Sequence, residues 1–302
     1  MLFHINMNFY KYIRKQKLIL FLFIIVGFMA GVLYWNEVEP FHNRPKTTLI
    51  THIYNEEYML PFWLSHHKTM FDDLIVIDYK STDRSLELCK QYWHNCRIIP
   101  SRNESFNAEL CDKEVMDIES TIDGVKMVLN TTEFLLTETK VENLLPKGDE
   151  RSYSVECISP YSSKMYEVKN NKELFQLFTS PDVVFHKDRM DRQLHNFKNG
   201  SYSVGRHSTS NKTEQTDKAY VIWFGYFPMN EELLKRKLQI KTKIPESDKQ
   251  KRFGWQHLLE REELLGTNNS KAETGVPVKD LPPPLNRMIL AYVEKYNNSS
   301  SA

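Results

Sequence analysis

Two apolar, β-branched segments near the start of the chain flank a segment with helical spacing. The first runs from Thr48 to Tyr54 and the second from Leu74 to Ile77, with a predicted helix over Glu56–Lys68 between them. A strand, a helix and a second strand at this separation predict a βαβ unit with parallel strands. Ligands of open parallel sheets bind beyond the carboxyl ends of the strands, so polar residues at those ends should face one crevice.

Polar side chains close both strands. A carboxylate at a strand end can accept a hydrogen bond from a base or a ribose, and the turn after it can cap the next helix. These residues therefore predict a nucleotide site at this edge of the sheet. They are His52, Tyr54, Asn55 and Glu56 for the first strand and Asp78 to Asp83 for the second.

Two motifs, Ile53–Glu57 and Val76–Asp83, resemble the opening of the family 2 glycosyltransferases and their relatives in family 92, which share the GT-A fold. The resemblance implies a Rossmann-like, mixed and mostly parallel sheet with flanking helices. It also implies transfer of a hexose or hexosamine from a nucleotide-sugar donor to a hydroxyl on a glycan, protein or lipid. An ordinary α/β domain with well-capped helices is the alternative interpretation. The resemblance assigns donor binding to His52, Tyr54, Asn55, Glu56 and Asp78.

A third motif is altered at the positions where the related transferases carry Asp-x-Asp. The predicted strand Gly124–Leu129 leads into Asn130, Thr132 and Glu133, so an amide and a hydroxyl replace the two carboxylates. In the family those carboxylates bind the divalent cation that bridges the donor diphosphate. Asn130, Thr132 and Glu133 remain candidates for donor binding, whereas Glu133 and His257 are the only candidates for a metal. A requirement for Mn²⁺ or Mg²⁺ is therefore in doubt.

Three outcomes are compatible with this change. Basic side chains could bind the diphosphate without metal, Glu133 could hold a cation with carboxylates from elsewhere, or the domain could be an inactive relative that binds a glycan or partner. The segment Arg189–Thr209, with a predicted hairpin at Asn199–Gly200, supplies guanidinium groups such as Arg206 for the first outcome. Solvated, scattered cations are the alternative interpretation of this segment. A nucleotidyltransferase would need a glycine-rich phosphate loop, which the sequence lacks.

Two acidic residues are candidates for the catalytic base. Glu232 opens a predicted helix where the family pattern has Asp, and Asp248 lies in the charged segment Lys241–Arg252, which resembles a lid over the donor. A carboxylate in either place could deprotonate the acceptor as it attacks the anomeric carbon. The resemblance implies that this displacement inverts the configuration at that carbon. Helix capping alone would also explain Glu232. His257 is a candidate for contact with the diphosphate or a metal.

For several other segments the sequence predicts secondary structure but no catalytic or binding role. Ser105–Ser120 should be a helix whose acidic residues, Asp112 among them, form a solvated face. Asn268–Lys279 is predicted to be a polar loop. Further strands are predicted at Pro181–Phe185 and Ala219–Phe227, and a last helix at Leu285–Tyr296.

An uncharged apolar segment, Leu18–Trp35, follows a basic start and precedes two glutamates. It predicts a transmembrane signal anchor, with a cytosolic tail at 1–17 and everything after it in the lumen of the Golgi or ER. A cleaved signal peptide is the alternative. A stem at 36–46, a transferase domain at 47–290 and a tail at 291–302 would follow. N-glycosylation sequons agree with a lumenal domain, as would a disulfide between Cys89 and Cys96.

The composition of the 302-residue chain is close to that of an ordinary globular protein. Its formal net charge of +1 gives no reason to expect nucleic acid as a partner. The expected partners are a nucleotide sugar, a glycan, protein or lipid acceptor, and the membrane at Leu18–Trp35.

Overall fold

The computed structural model describes residues 45–145, 148–187 and 190–298. The anchor predicted at Leu18–Trp35 lies outside these residues. Within them, no helix combines the length and apolar character that a membrane span requires.

One nine-stranded sheet organises the described part of the chain. Its strand order is β3-β2-β1-β4-β8-β6-β9-β5, with β7 beside the second half of β6. The strands are β1 Thr47–Ile53, β2 Asp73–Asp78, β3 Arg97–Pro100, β4 Val125–Val128, β5 Glu133–Thr137, β6 Ser152–Tyr161, β7 Val184–Lys187, β8 Arg192–His195 and β9 Thr213–Trp223.

Helices cover both faces of this sheet. The α-helices are α1 Leu60–His67, α2 Ser85–Tyr92, α3 Ala108–Glu119, α4 Asn171–Gln176, α5 Glu231–Ile240, α6 Glu246–Gln250, α7 Arg261–Thr274 and α8 Pro283–Asn298. Short 3₁₀ turns lie at Val141–Asn143, Leu177–Thr179, Lys241–Lys243, Trp255–His257 and Val278–Asp280. The mixed α/β class with flanking helices agrees with the sequence prediction.

The predicted βαβ unit is present. β1 pairs with β2 in parallel, from Thr48 opposite Asp73 to Ile53 opposite Asp78, and with β4 on its other side. The apolar residues of β1 alternate between two core layers: Leu49 packs with the large cluster under α1, and Ile50 packs with the cluster under α3. Because both faces of the strand are buried, it has the near-continuous apolar sequence of a parallel strand.

The second half of the sheet was predicted less well. β8 runs antiparallel to β4 and β6, and β6 lies parallel to β9 at the centre of this half. The sequence did not predict β6 because its buried positions include Ser152, Ser154 and Ser159, which do not look apolar. The antiparallel turn predicted at Asn199–Gly200 lies further on, at the bridge between Tyr202 and Thr209.

Three C-terminal predictions need correction. The predicted polar loop at Asn268–Lys279 is largely helix α7, which begins with a capping box of Glu260 and Glu263 and buries Asn268 against the carbonyl of Ser162. The charged segment Lys241–Arg252 is a 3₁₀ turn followed by α6. Helix α8 continues to Asn298 and packs Tyr292 and Val293 into the core, so the predicted tail at 291–302 is helical up to that residue.

The four cysteines are buried and free, so the disulfide considered between Cys89 and Cys96 is not formed.

Candidate functional site

A cavity of about 430 Å³ opens where β1 and β4 end. Its walls come from the ends of those strands, the turn before β5, the segment 204–207, helix α5 and the segment 252–257. The charged and polar side chains that line it include His52, Glu56, Asp112, Asn130, Thr132, Glu133, Arg192, Arg206, His207, Arg236, Lys237 and His257. The crevice expected from parallel strands therefore exists, and distant parts of the sequence complete it.

The first charged pair in the wall joins Glu133 and Arg192. Nε and Nη2 of Arg192 donate to the two carboxylate oxygens over 2.9 and 2.6 Å. The same carboxylate accepts from the backbone N–H and the Nδ2 of Asn130, at 2.9 and 2.8 Å. Burial would raise the pKa of Glu133, but Arg192 and these hydrogen bonds outweigh it and lower the pKa to about 2. Both oxygens are thus committed to protein donors.

The second pair joins Asp112 of α3 and Arg206. Nη1 of Arg206 donates to one carboxylate oxygen, and the backbone N–H of Gly205 donates to the other at 2.6 Å. Arg206 has a left-handed backbone, with φ of 60° at the end of a tight turn. Its Nη2 also donates to Oδ1 of Asn130 over 3.2 Å. The prediction of a solvated face was wrong for Asp112, which is 4% exposed, because its partner comes from another part of the fold.

The third pair joins Glu56 and Arg236 of α5. Nε and Nη2 of Arg236 donate to the two oxygens of Glu56 at 2.6 and 2.7 Å, and the Thr131 hydroxyl donates to one of them at 2.6 Å. This pair ties the end of β1 to α5 across the cavity. We call the pairs Glu133–Arg192 and Asp112–Arg206 the salt-bridged wall, and the pair Glu56–Arg236 its counterpart on α5.

Lys237 follows Arg236 on α5 and lacks an acidic partner among the described residues. It is 1% exposed. Its Nζ lies 4.0 Å from the centre of the Tyr226 ring and 5.9 Å from that of Trp223, an arrangement in which the ring faces attract the ammonium. Burial, and then the charge of Arg236, lower the pKa of Lys237 to about 7. The wall therefore contains one buried cation that is neither paired nor firmly protonated at neutral pH.

Three imidazoles also line the cavity. Nδ1 of His207 lies 2.9 Å from Nη1 of Arg192, whereas Nδ1 of His52 and Nδ1 of His257 are buried without a partner in the described chain. Burial, followed by the charges of Lys237 and Arg236, lowers the pKa of His257 to about 3. Burial and Arg206 lower that of His52 to about 3. Both rings are therefore neutral at neutral pH, and each has an unused ring nitrogen.

Three predicted donor residues lie beside the cavity and not in its wall. Oδ1 of Asn55 accepts from the N–H of Thr82 at 2.7 Å, and Oδ1 of Asp78 accepts from the N–H of Ser81 at 3.0 Å. The first bond joins the end of β1 to the turn after β2, and the second lies within that turn. Tyr54 is covered by Lys243, whose Nζ lies 4.3 Å from the ring centre. His52, Glu56, Asn130, Thr132, Glu133, Arg206 and His257 do line the cavity.

Neither predicted base lies in the cavity wall. The Glu232 side chain is 54% exposed, and its nearest cation, Lys235, is 3.9 Å away. Asp248 is buried, but its two oxygens accept from Nδ2 of Asn107 at 2.8 Å and the N–H of Ala108 at 2.7 Å. Asp248 therefore anchors α6 to the start of α3.

The donor set of the cavity does not fit a divalent cation at the expected place. Such an ion needs hard oxygen ligands with free lone pairs, but Asn130 and Thr132 are not carboxylates, and Glu133 already binds Arg192 through both oxygens. No group of three His, Cys, Asp or Glu side chains in the described residues is arranged to hold a metal. The two metal candidates, Glu133 and His257, thus lack a third ligand.

Among solved structures, residues 1–349 of TarS from S. aureus are 14% identical to the chain, cover 84% of it and 92% of their own length, and give a TM-score of 0.37. The complex of the same protein with UDP-GlcNAc is 13% identical, with coverages of 83% and 89% and a TM-score of 0.36. Glucosyl-3-phosphoglycerate synthase from Mycobacterium tuberculosis, with Mn²⁺, UDP and glucosyl-3-phosphoglycerate, is 13% identical over 30% of this chain and 34% of its own, with a TM-score of 0.25. No protein-family model and no curated protein matches the chain.

Proposed function

We propose that the protein is a GT-A type glycosyltransferase that binds the diphosphate of a nucleotide sugar with protein cations. One observation carries this proposal. The three carboxylates of the cavity wall are each neutralised by an arginine, so Lys237 and the exposed Arg252, which has no ion-pair partner in the described chain, give the wall an excess of basic groups in a crevice at the carboxyl ends of parallel strands. Such a crevice suits an anion attached to a nucleoside. The motifs Ile53–Glu57 and Val76–Asp83 support the same conclusion.

The proposed reaction is displacement at the anomeric carbon. The acceptor hydroxyl forms the new bond to that carbon, the bond from carbon to the diphosphate oxygen breaks, and the diphosphate leaves with the electron pair. Cations in a dry wall stabilise that departing charge, which is the work a divalent cation does in related enzymes. A hexose or hexosamine, inversion, and a glycan, protein or lipid acceptor are the finer parts of this proposal. The sequence predicted Glu232 or Asp248 as the base, but neither lies in the cavity wall, so the proposal has the acceptor proton leave with the diphosphate.

The proposal also includes a type II membrane protein with its transferase domain in the Golgi or ER lumen. The uncharged segment Leu18–Trp35 and the basic residues before it support that orientation. A protease added to intact microsomes should leave the domain at 47–290 uncut. Cleavage of that domain without detergent would contradict the lumenal orientation.

Calorimetric titration tests the donor part. Nucleoside diphosphates and nucleotide sugars are titrated into the protein, once with chelator and once with Mn²⁺. We expect at least one of them to bind, with the same affinity in both conditions. The absence of binding by every nucleotide would overturn the transferase proposal, and binding that requires Mn²⁺ would overturn the role of protein cations.

A noncatalytic binding protein is the second candidate. The observation in its favour is that the carboxylates Glu56, Asp112 and Glu133 are all held in ion pairs, which leaves none of them free to act as a base. The two candidates differ in turnover. A transferase releases nucleoside diphosphate from the nucleotide sugar that it binds when acceptor glycans are added, whereas a binding protein returns the nucleotide sugar intact.

A further inference from the structure

Four groups in the cavity wall have hydrogen-bonding capacity that the described residues do not use. Nδ1 of His52, Nδ1 of His257 and Nε of Arg206 are buried without a hydrogen-bond partner in the described chain. Nζ of Lys237 lies against the Tyr226 ring and has no acidic partner among the described residues. Buried polar groups in folded proteins are nearly always paired. Several unpaired groups that line one cavity therefore indicate a ligand that pairs with them.

Lys237 and His52 lie close enough to His257 for their charges to affect its pKa. Lys237, Arg236 and His52 all lower the pKa of His257. Lys237 can donate up to three hydrogen bonds, and a neutral imidazole can donate one from whichever ring nitrogen holds the proton. The set thus offers donors and a positive charge, without a free carboxylate, and that combination selects an anion with several oxygens.

The arginines of the salt-bridged wall are less suitable for the same ligand. Arg192 donates to both oxygens of Glu133, and Arg206 donates to Asp112. A phosphate that displaced the carboxylate from either guanidinium would leave that carboxylate without its cation, which is costly. Only the unpartnered Nε of Arg206 could donate to a ligand without breaking one of these pairs. The sequence prediction assigned the compensating role to this basic segment, but the buried cation without a carboxylate partner in the described chain is Lys237 on α5.

Neighbouring side chains hold Lys237 in place. The Tyr226 ring lies against its ammonium, and Trp223 is held beside it because Gly225 leaves room. A Cβ on Gly225 would lie 2.2 Å from the Trp223 ring. The charged and titratable groups that face Lys237 are Arg236 on α5, Tyr226 after β9 and His257 of the 3₁₀ turn.

We propose that Lys237, His257 and His52 form an anion subsite that holds the diphosphate of the donor, with Lys237 as its charged group. The identity of the anion as a donor diphosphate rests on the proposed function. The existence of the subsite does not, because inorganic pyrophosphate presents the same oxygens without a nucleoside.

Substitution tests the subsite in the full chain. Inorganic pyrophosphate and nucleoside diphosphates are titrated into wild type, Lys237→Met and Lys237→Arg in the presence of chelator. Loss of a charge-assisted contact should weaken binding by about tenfold or more in Lys237→Met, whereas Lys237→Arg keeps the charge and should lose less. The matched control is Lys235→Met on the exposed face of the same helix, which should bind as wild type does.

A measurement on the wild type keeps the test independent of folding in the variants. A lysine of lowered pKa reacts readily with cyanate at pH 7 because more of it is unprotonated. Carbamylation is followed by peptide mass spectrometry with and without pyrophosphate. We expect pyrophosphate to protect Lys237 and to leave Lys235 unprotected.

The outcomes separate the subsite from the proposed function. Pyrophosphate binding that depends on Lys237, with every nucleotide failing to bind, would support the subsite and overturn the transferase proposal. Equal nucleotide binding by wild type and Lys237→Met, or cyanate labelling indifferent to pyrophosphate, would overturn the subsite and leave the transferase proposal standing. Failure of both ligands to bind the wild type would overturn both.

Discussion

The two sides of the cavity differ in how completely their charged and polar side chains are paired with other protein groups. On the salt-bridged wall, Glu133 and Arg192 are nearly inaccessible, and Arg192 donates two short hydrogen bonds to Glu133. On the other side, Lys237, His52 and His257 form the anion subsite, whose members have unused hydrogen-bonding capacity. Complete pairing is what a structural element needs, whereas incomplete pairing is what a binding site needs before its ligand arrives. Substitutions on the two sides should therefore affect different properties of the protein.

The largest effect is expected from Glu133→Gln. This change leaves the Arg192 guanidinium buried without its carboxylate, so the free energy of unfolding should fall by about 3–5 kcal/mol. Urea unfolding of wild type and variant measures the loss. The double variant Glu133→Leu/Arg192→Met should recover most of it, because an apolar pair avoids the desolvation cost. A loss below about 1 kcal/mol in Glu133→Gln would mean that the pair Glu133–Arg192 contributes little to the free energy of unfolding.

A smaller loss of stability is expected from Asp248→Ala. The change leaves the N–H of Ala108 and the amide of Asn107 without their acceptor, at a cost of about 1–3 kcal/mol. Thermal unfolding is the measurement. In the milder variant Asp248→Asn, turnover of nucleotide sugar should be nearly unchanged. A well-folded Asp248→Asn protein with turnover reduced by about 10²–10⁴-fold would instead identify Asp248 as the base.

Lys237 should make the stability of the protein depend on pH in a range well above the one in which Glu133, with its pKa of about 2, titrates. The pKa of Lys237 is about 7 in the folded protein, whereas a lysine in the unfolded chain titrates near pH ~10.4. Between those values the unfolded chain binds more protons, so stability rises with pH by up to about 1.4 kcal/mol per pH unit. Lys237→Met should therefore be more stable than wild type at pH 7, and the gap should narrow toward pH 9.

Urea unfolding at pH 7, 8 and 9 provides that comparison, with Lys235→Met as the exposed control whose profile should parallel that of wild type. Parallel profiles for Lys237→Met and wild type would show that Lys237 stays protonated throughout. The anion subsite would then be permanently charged, and its affinity for a diphosphate would not change across this range of pH.

The smallest effect is expected from Glu232→Gln. Glu232 is exposed and lies outside the cavity wall, so the free energy of unfolding should change by less than about 0.5 kcal/mol. Turnover with a nucleotide sugar should also be unaffected. A fall of about 10²–10⁴-fold in turnover with intact stability would show that α5 moves to bring Glu232 to the acceptor.

The difference between the two sides also explains what could be predicted from the sequence. The unit from β1 to β2 was predicted because its pattern is local: an apolar strand, a helix and a second apolar strand. The same applies to His52, Glu56 and Glu133, which line the cavity and lie in motifs near strand ends. The sequence can therefore predict a site residue when a local pattern of strand and turn determines its position.

The rest of the site depends on contacts between distant segments. Asp112 looks like one more acid on a charged helix until Arg206 is placed beside it. Lys237 looks like part of the basic end of a helix, and only burial against Tyr226 distinguishes it from Lys235. The sequence of α5 held one signal. Arg236 and Lys237 come three positions after Leu233 and Leu234, a helical spacing that places all four residues on the buried face.

A crystal structure of the wild-type protein with a nucleoside diphosphate, grown in the presence of Mn²⁺, tests the central claim most directly. The claim predicts diphosphate oxygens within hydrogen-bonding distance of Lys237 Nζ, with the pair Glu133–Arg192 intact. A manganese ion between the diphosphate and Glu133, with Arg192 displaced, would contradict it.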